Sequence, residues 1–314
     1  MNFETLNVLK QKAMLNMTAK LNSQSIKKEI VVCGNRNCHQ NGSGDVFDAF
    51  KSEIDKEKLK KRVDVKQVGC LGLCALGPII VVYPDKTFYC KVKPGDVGRI
   101  LKEHIVNGKV VTDLLYNPQD SDKNQISKID FYKKQVFVAR KNLGYIDPLN
   151  IMDYIAFDGY VGLYKALSTM MPEGVISQIK ASGLRGRGGI GFPTGKKWEL
   201  ARNFTAKDKV VICNGDEGDP SVAMDRSILE NDPHAVVEAM AIAGYAVGAS
   251  EGVICIRNGY NTALKCIEKA IKEAYKYGFL GDNIFETNFC FNLSVKVVDG
   301  GFVNEEEPFM YDGS

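Results

Sequence analysis

Four cysteines constrain this chain more than any other feature. Cys33 and Cys38 are separated by four residues, and Cys70 and Cys74 by three. Each pair follows a short β-branched run and lies among glycines: Gly34 and Gly42 near the first, Gly69 and Gly72 near the second. Glycine has no Cβ, so such loops can fold back on themselves. Two loops of this kind can bring four thiolates around one site. The chain has nine cysteines, an odd number that argues against a disulfide framework. Its N-terminus, MNFETLNVLKQKAMLNMTAKLNSQ, has no signal-peptide core, which reads as cytoplasmic. Four thiols in a reducing compartment point to iron–sulfur or zinc. Zinc favours C-x2-C knuckles. Both spacings here are longer and suit the wider [2Fe–2S] rhomb, with zinc and four ordinary cysteines as the alternatives. His39 reads as a hydrogen-bonding neighbour. Cys90, Cys213, Cys255, Cys266 and Cys290 read as small buried apolar side chains.

The rest of the chain supplies alternating strands and helices. Residues 1–28 carry helical spacing and read as an N-terminal helical arm. Over 29–110 the pattern runs strand, helix, strand, hairpin, helix, with the hairpin turning at Pro84-Asp85 and the last helix stopping at Gly108. This is a small α/β domain. Residues 111–147 are polar and read as a linker. From 148 to 314, helical patterns lead into two strand–loop–helix units, which predict a parallel sheet with helices packed on it. Ligands on such sheets sit at the carboxyl ends of strands, a position expected here for the loops around Gly186 and Asn214. At 314 residues, two or three domains are expected. The net charge of +3, with no basic stripe, argues against nucleic acid. The longest uncharged run, 68–84, is too short and too broken by glycine and proline to span a membrane.

The stretch SGLRGRGGIGFPTGKKWEL, 182–200, holds six glycines and four basic residues. A plain linker would not carry Phe-Pro and Lys-Lys-Trp. A loop that lets backbone N–H groups converge on a phosphate fits better. A helical pattern precedes it, so it is not the dinucleotide G-x-G-x-x-G fingerprint in context.

VCGNRNCHQNGS with VGCLGLCALGP resembles the thioredoxin-like [2Fe–2S] ferredoxin domain. The glycine-rich stretch and CNGDEGDPSVAMDRSILENDPH resemble the NADH-oxidising flavin subunit of complex I, of electron-bifurcating hydrogenases and of NAD-linked formate dehydrogenases. FYKKQVFVARKNLGYIDP resembles the lead-in of the hydrogenase-type branch. The resemblance runs over roughly 30–290. It implies a thioredoxin-like [2Fe–2S] domain followed by a Rossmann-like α/β domain for FMN and NAD. Cys33, Cys38, Cys70 and Cys74 would then hold the cluster. Gly186, Arg187, Gly188, Gly189 and Gly191 would wrap the FMN phosphate and ribityl chain, with Lys197 on the flavin side. Asn214, Asp216 and Glu217 would bond the flavin and ribityl edge. Phe192 would stack near the nicotinamide or adenine, and Asp219 would contact the nicotinamide nucleotide. Glu306 and Glu307 align with a Glu pair that approaches the flavin. Asp225 and Arg226 read as an ion pair or helix cap.

No protein base is needed for hydride transfer between nicotinamide and flavin, because the protein mainly orients the two. The resemblance implies a diaphorase-type subunit working with iron–sulfur and flavin partners in a larger assembly. The sequence departs from the family near its end. Asn304, Glu305 and Pro308 replace the family's Cys, Gly and Thr, and the β-grasp (SLBB) and [4Fe–4S] domains do not follow. The alternative is a non-catalytic [2Fe–2S] relay or scaffold subunit with a degenerate flavin site.

Overall fold

A computed structural model describes residues 1–21, 27–34, 36–117, 119, 124–187, 190–206, 208–217 and 224–299. The chain divides into two compact units, one of residues 11–148, the other of residues 1–10 with 149–314.

In the unit of residues 11–148, strands β1 (Lys28–Cys33), β2 (Val63–Val68), β3 (Ile80–Tyr83) and β4 (Thr87–Tyr89) form one sheet in the order β2-β1-β3-β4. β1 and β2 run parallel, with Cys33 opposite Val68. A parallel pair needs a crossover, which helix α3 (Ser43–Lys56) supplies after the short α2 (Arg36–Gln40). β3 and β4 are antiparallel because only three residues join them, with Lys86 at φ 58 in the turn. Val46, Phe50 and Ile54 recur every four residues on α3 and are buried against Ile30, Val32, Val63 and Ile80. A Phe buried like Phe50 contributes about 1.5–3 kcal/mol. The short helix α4 (Val97–Arg99) continues as a π-helical turn, Ile100–Val106. It buries His104, whose Nδ1 meets Tyr89 Oη at 2.8 Å and whose Nε2 meets Asp85 Oδ2 at 2.9 Å.

The segment 111–147, expected as a linker, packs on the sheet: Val111 and Leu115 join the cluster of α3, and residues 126–145 pack in a separate one. Ile126, Ile129, Phe131, Tyr132, Leu143 and Tyr145 share one apolar cluster with Cys33, Cys38, Leu71 and Val81. Phe131 and Tyr132 belong to the one-turn helix α5 (Asp130–Lys133).

The other unit starts from helix α1 (Phe3–Leu21), whose first eight residues, Phe3 to Lys10, belong to it. Leu6 is fully buried, Phe3 stacks on Tyr164 at 4.1 Å, and Lys10 pairs with Asp158. Helices α6 (Ile151–Ala156), α7 (Val161–Thr169), α8 (Pro172–Ala181) and α9 (Thr194–Asn203) follow. Then come β5 (Val210–Gly215), α10 (Met224–Asn231), α11 (Pro233–Val247), β6 (Glu251–Arg257), α12 (Asn261–Lys276), β7 (Gly281–Ile284) and β8 (Phe289–Val298). The sheet order is β5-β6-β8-β7. β5, β6 and β8 are parallel, as the alternating pattern implies, but β7 is antiparallel to β8. Four residues separate those two strands, too few for a crossover. Glycines seat α11 and β6 on Phe291: a Cβ on Gly252 would lie 2.7 Å from its ring. No helix among the described residues is long and apolar enough to cross a membrane.

Candidate cofactor sites

The four cysteines leave one end of the first sheet. Cys33 ends β1, Cys38 lies in α2, Cys70 follows β2 and Cys74 opens a 3-10 turn. Parallel pairing puts both loops at the same carboxyl edge, where Gly34 N–H donates to Val68 O at 2.7 Å. Cys38 Sγ lies 3.2 Å from Cys33 Sγ. A Cβ on Gly34 would overlap Gln67 and the Val68 carbonyl, and one on Gly77 would lie 2.9 Å from Cys38 Sγ. Gly72, at φ +90, turns the second loop, and its N–H donates to Cys70 Sγ at 3.3 Å. The Cys70 thiol is pushed well up, first by its hydrogen bond with Cys74, then by burial and by Cys33.

The thiols therefore stand two by two, Cys33 with Cys38 and Cys70 with Cys74, which suits an iron pair taking two thiolates each. Among the described residues no three His, Cys, Asp or Glu side chains close on a single-ion site. His39 is exposed and its Nε2 meets Gln67 Nε2 at 3.2 Å, the neighbour role expected of it. Burial pushes the Cys90 and Cys213 thiols up to about 11; Cys90, Cys255 and Cys266 are buried as expected, whereas Cys213 and Cys290 are only half-buried.

The glycine-rich loop lies between α8 and α9 rather than at the end of a strand, as the helical pattern before it already signals. Its base is closed like a small ladder. Gly186 N–H donates to Phe192 O at 2.9 Å, Thr194 N–H to Leu184 O at 2.9 Å, and Arg185 Nη1 to Gly191 O at 3.0 Å. Gly191 takes φ +67. Gly186 and Arg187 are exposed on the loop, Phe192 is half-buried, and Lys197 is exposed in the first turn of α9. Gly188, Gly189, Asp219, Glu306 and Glu307 lie outside the described residues, as do Asn304, Glu305 and Pro308.

Asn214, Asp216 and Glu217 do sit at the carboxyl end of a strand, β5, and the structure gathers them. Asp216 N–H donates to Asn214 Oδ1 at 2.9 Å. Glu217 Oε1 accepts from Met224 N at 2.5 Å and Asp225 N at 3.1 Å, capping α10. Both carboxylates are buried, and Asp216 Oδ1 and Glu217 Oε2 have no hydrogen-bond partner among the described residues. Buried acceptors without donors are rare in folded proteins. Donor groups such as ribityl hydroxyls match them chemically. Burial first, and Glu217 second, raise the Asp225 carboxyl above its usual range. Among the described residues no hydrogen bond or ion pair joins the glycine loop to this acidic turn.

Arg257 was not singled out from the sequence. It ends β6, donates to the Glu217 carbonyl, and stands 4.0 Å from Asp216 Oδ1. Its signal was legible: it is the last residue of the run GVICIR, at a strand's carboxyl end. Arg226 does not pair with Asp225. It reaches Glu230 at 4.0 Å and lies over the Tyr260 ring at 5.2 Å.

Two family models match this chain, the Nuo51 FMN-binding domain over residues 179–312 and the thioredoxin-like [2Fe–2S] ferredoxin over residues 19–104. The NADP-reducing hydrogenase subunit HndC of Solidesulfovibrio fructosivorans is 54% identical over 56% of this chain and 35% of its own length. An NADH-quinone oxidoreductase subunit of Rhizobium meliloti is 39% identical over 56% of this chain and 42% of its own. The chain thus spans about two fifths or less of these relatives. A solved thioredoxin-like [2Fe–2S] ferredoxin from Aquifex aeolicus is 36% identical, covering 28% of this chain and 88% of that one, with a TM-score of 0.27. Both matched segments coincide with the sites just described: the stretch holding the four cysteines matches the thioredoxin-like [2Fe–2S] ferredoxin model, and the stretch holding the glycine-rich loop and the acidic turn matches the Nuo51 FMN-binding model.

Proposed function

We propose that this chain is a diaphorase-type redox subunit that passes electrons between a nicotinamide nucleotide, FMN and a [2Fe–2S] cluster within a larger cytoplasmic assembly. The observation that carries this reading is the presence of two half-built sites in one chain: two thiol pairs, with Cys33, Cys38 and Cys70 buried and Cys74 half-buried, and a buried acidic turn in which Asp216 Oδ1 and Glu217 Oε2 have no hydrogen-bond partner among the described residues. Cys33 and Cys38 would hold one iron, Cys70 and Cys74 the other. Gly186, Arg187, Gly188, Gly189 and Gly191 would present backbone N–H groups and charge to the FMN phosphate, with Lys197 beside it. Asn214, Asp216 and Glu217 would accept from the ribityl and ring edge. Phe192, Asp219, Glu306 and Glu307 would face the nicotinamide nucleotide. FMN supplies the exchange between one hydride and two single electrons, so the chain's own work is to bind, orient and exclude water. The relatives are named as subunits of hydrogenases and quinone oxidoreductases. On that ground the partners are other iron–sulfur and flavin subunits.

A cofactor count tests this reading. Purified protein should contain two irons, two acid-labile sulfides and one FMN per chain and should reduce dyes with NADH. Iron and sulfide without flavin, even after reconstitution, would instead establish the relay subunit. A protein with neither would sink both.

A further inference from the structure

The segment that the sequence presents as a linker lies against the cysteine loops. From residue 124 on, it is tied to the sheet by the Thr87–Gln125 bridge and by Ile126 N–H donating to Lys86 O at 3.1 Å. Near its end, Lys66 Nζ donates to Tyr145 O at 2.9 Å while pairing with buried Glu29 at 3.1 Å. Between these ties, Tyr132 Oη donates to the carbonyl of Leu71, which lies between Cys70 and Cys74, at 2.5 Å. Phe131 closes on Gly72 so tightly that a Cβ there would lie 2.9 Å from the ring. Gly144, at φ +78, brings the returning chain against Leu71, whose Cδ2 would stand 3.2 Å from a Cβ on that glycine. Tyr132 packs in the same apolar cluster as Cys33, Cys38, Leu71 and Cys90.

We propose that residues 124–148 are a strap that holds the Cys70–Cys74 loop and shuts water away from the cluster, with Tyr132 as its positioning residue. This inference rests on the iron–sulfur reading above. A shell of apolar side chains controls solvent access and local dielectric, and so the reduction potential. Four thiolates give the cluster net negative charge, and reduction adds one more. A dry surround disfavours that added charge and lowers the potential, and admitted water raises it. The hydroxyl has a separate part: it fixes the Leu71 carbonyl and hence the spacing of the second thiolate pair.

The test uses the full chain carrying its cluster, with Tyr132→Ala and Tyr132→Phe as variants. Iron per chain, the midpoint potential by EPR-monitored titration, and the rate of bleaching by an iron chelator are measured for each. Tyr132→Ala should shift the reduction equilibrium about tenfold toward the reduced form, about 59 mV upward for one electron, and bleach at least several-fold faster. Tyr132→Phe should restore the potential, because the ring still excludes water, yet bleach faster than the parent, because the loop is no longer pinned. A merely structural role would move stability without this split. An iron-loaded Tyr132→Ala with the parent's potential and bleaching rate overturns the proposal. If Tyr132→Ala retains no iron, Tyr132→Phe decides: faster bleaching supports the strap and an unchanged rate overturns it. A parent protein without iron overturns the cluster reading itself, a result distinct from iron-loaded variants that behave like the parent.

Discussion

Glu238 shows what one buried carboxylate does for the flavin-domain unit. It accepts from Tyr154 Oη at 2.5 Å, Tyr160 N at 2.7 Å and Leu163 N at 2.9 Å. Tyr160 needs the help, since its φ of 63 is unusual for a residue with a ring, and its N–H would otherwise be buried unbonded. Glu238→Ala would orphan three donors and should cost about 3 kcal/mol or more, read as a lower denaturant midpoint. Asp85 is the corresponding case in the other unit. Its hydrogen bond with His104, reinforced by Lys28 against the opposing effect of burial, lowers its pKa from 3.8 to about 2. A lowered carboxyl contributes stability that is present above pH 3.8 and lost as pH falls through about 2. Asp85→Asn should therefore flatten the stability curve in that window and leave it unchanged in slope near pH 7, as urea melts at several pH values would show. At this scale the sequence was most legible where chemistry is local. The cysteine spacings and the acidic turn can be read directly, because neighbours in the chain are neighbours in the site. Glu238 could not be read this way, because its donors come from 75 to 84 residues away.

Elements set the shape of the glycine-rich loop. α8 and α9 approach so closely at Gly195 that a Cβ there would lie 2.6 Å from Lys180 N and 2.8 Å from Lys180 Cα. Lys180 to Glu199 at 2.9 Å and Arg202 to Glu173 at 3.0 Å clamp the same pair from the surface. Backbone cannot move aside as a side chain tip can. Gly195→Ala should then separate the helices, cost about 1–3 kcal/mol and weaken FMN binding several-fold, measured by flavin fluorescence titration. The two surface ion pairs should matter far less, about 0–1 kcal/mol each. The elements of regular period were legible: α3, α12 and the parallel strands all announce themselves. The strap was not, because Ile129, Tyr132 and Leu143 are isolated anchors in a polar stretch and follow neither a period of two nor one of 3.6. The β7–β8 hairpin was not read either. Its turn runs through Asn283, Phe285, Glu286 and Asn288, all at positive φ, where glycine would have marked it.

Among the described residues each of the two units has apolar clusters of its own. In one unit Leu71 and Val81 pack with Cys33 and Cys38, while Ile30, Phe50 and Ile80 form a second cluster with α3; in the other, Ala166, Val175, Ile176 and Ala246 pack with Trp198 of α9. Each proposed cofactor draws its ligands from one unit alone: the cluster from residues 33 to 74, the flavin from residues beyond 185. Damage to one site should therefore leave the other loaded. Cys74→Ala removes one of the four thiolates. It should abolish the S = 1/2 EPR signal of the reduced cluster while FMN stays at the parent's level. Gly195→Ala should do the reverse, lowering FMN while two irons per chain remain. Electron flow, unlike binding, needs both. Cys74→Ala should still reduce a flavin-reactive dye with NADH, whereas Gly195→Ala should fail to reduce its intact cluster with NADH at the parent's rate, yet do so with dithionite. Parallel iron, flavin and stopped-flow measurements on the two variants check this pattern. Loss of both cofactors from either variant would show that the two units hold their ligands as one cooperative body.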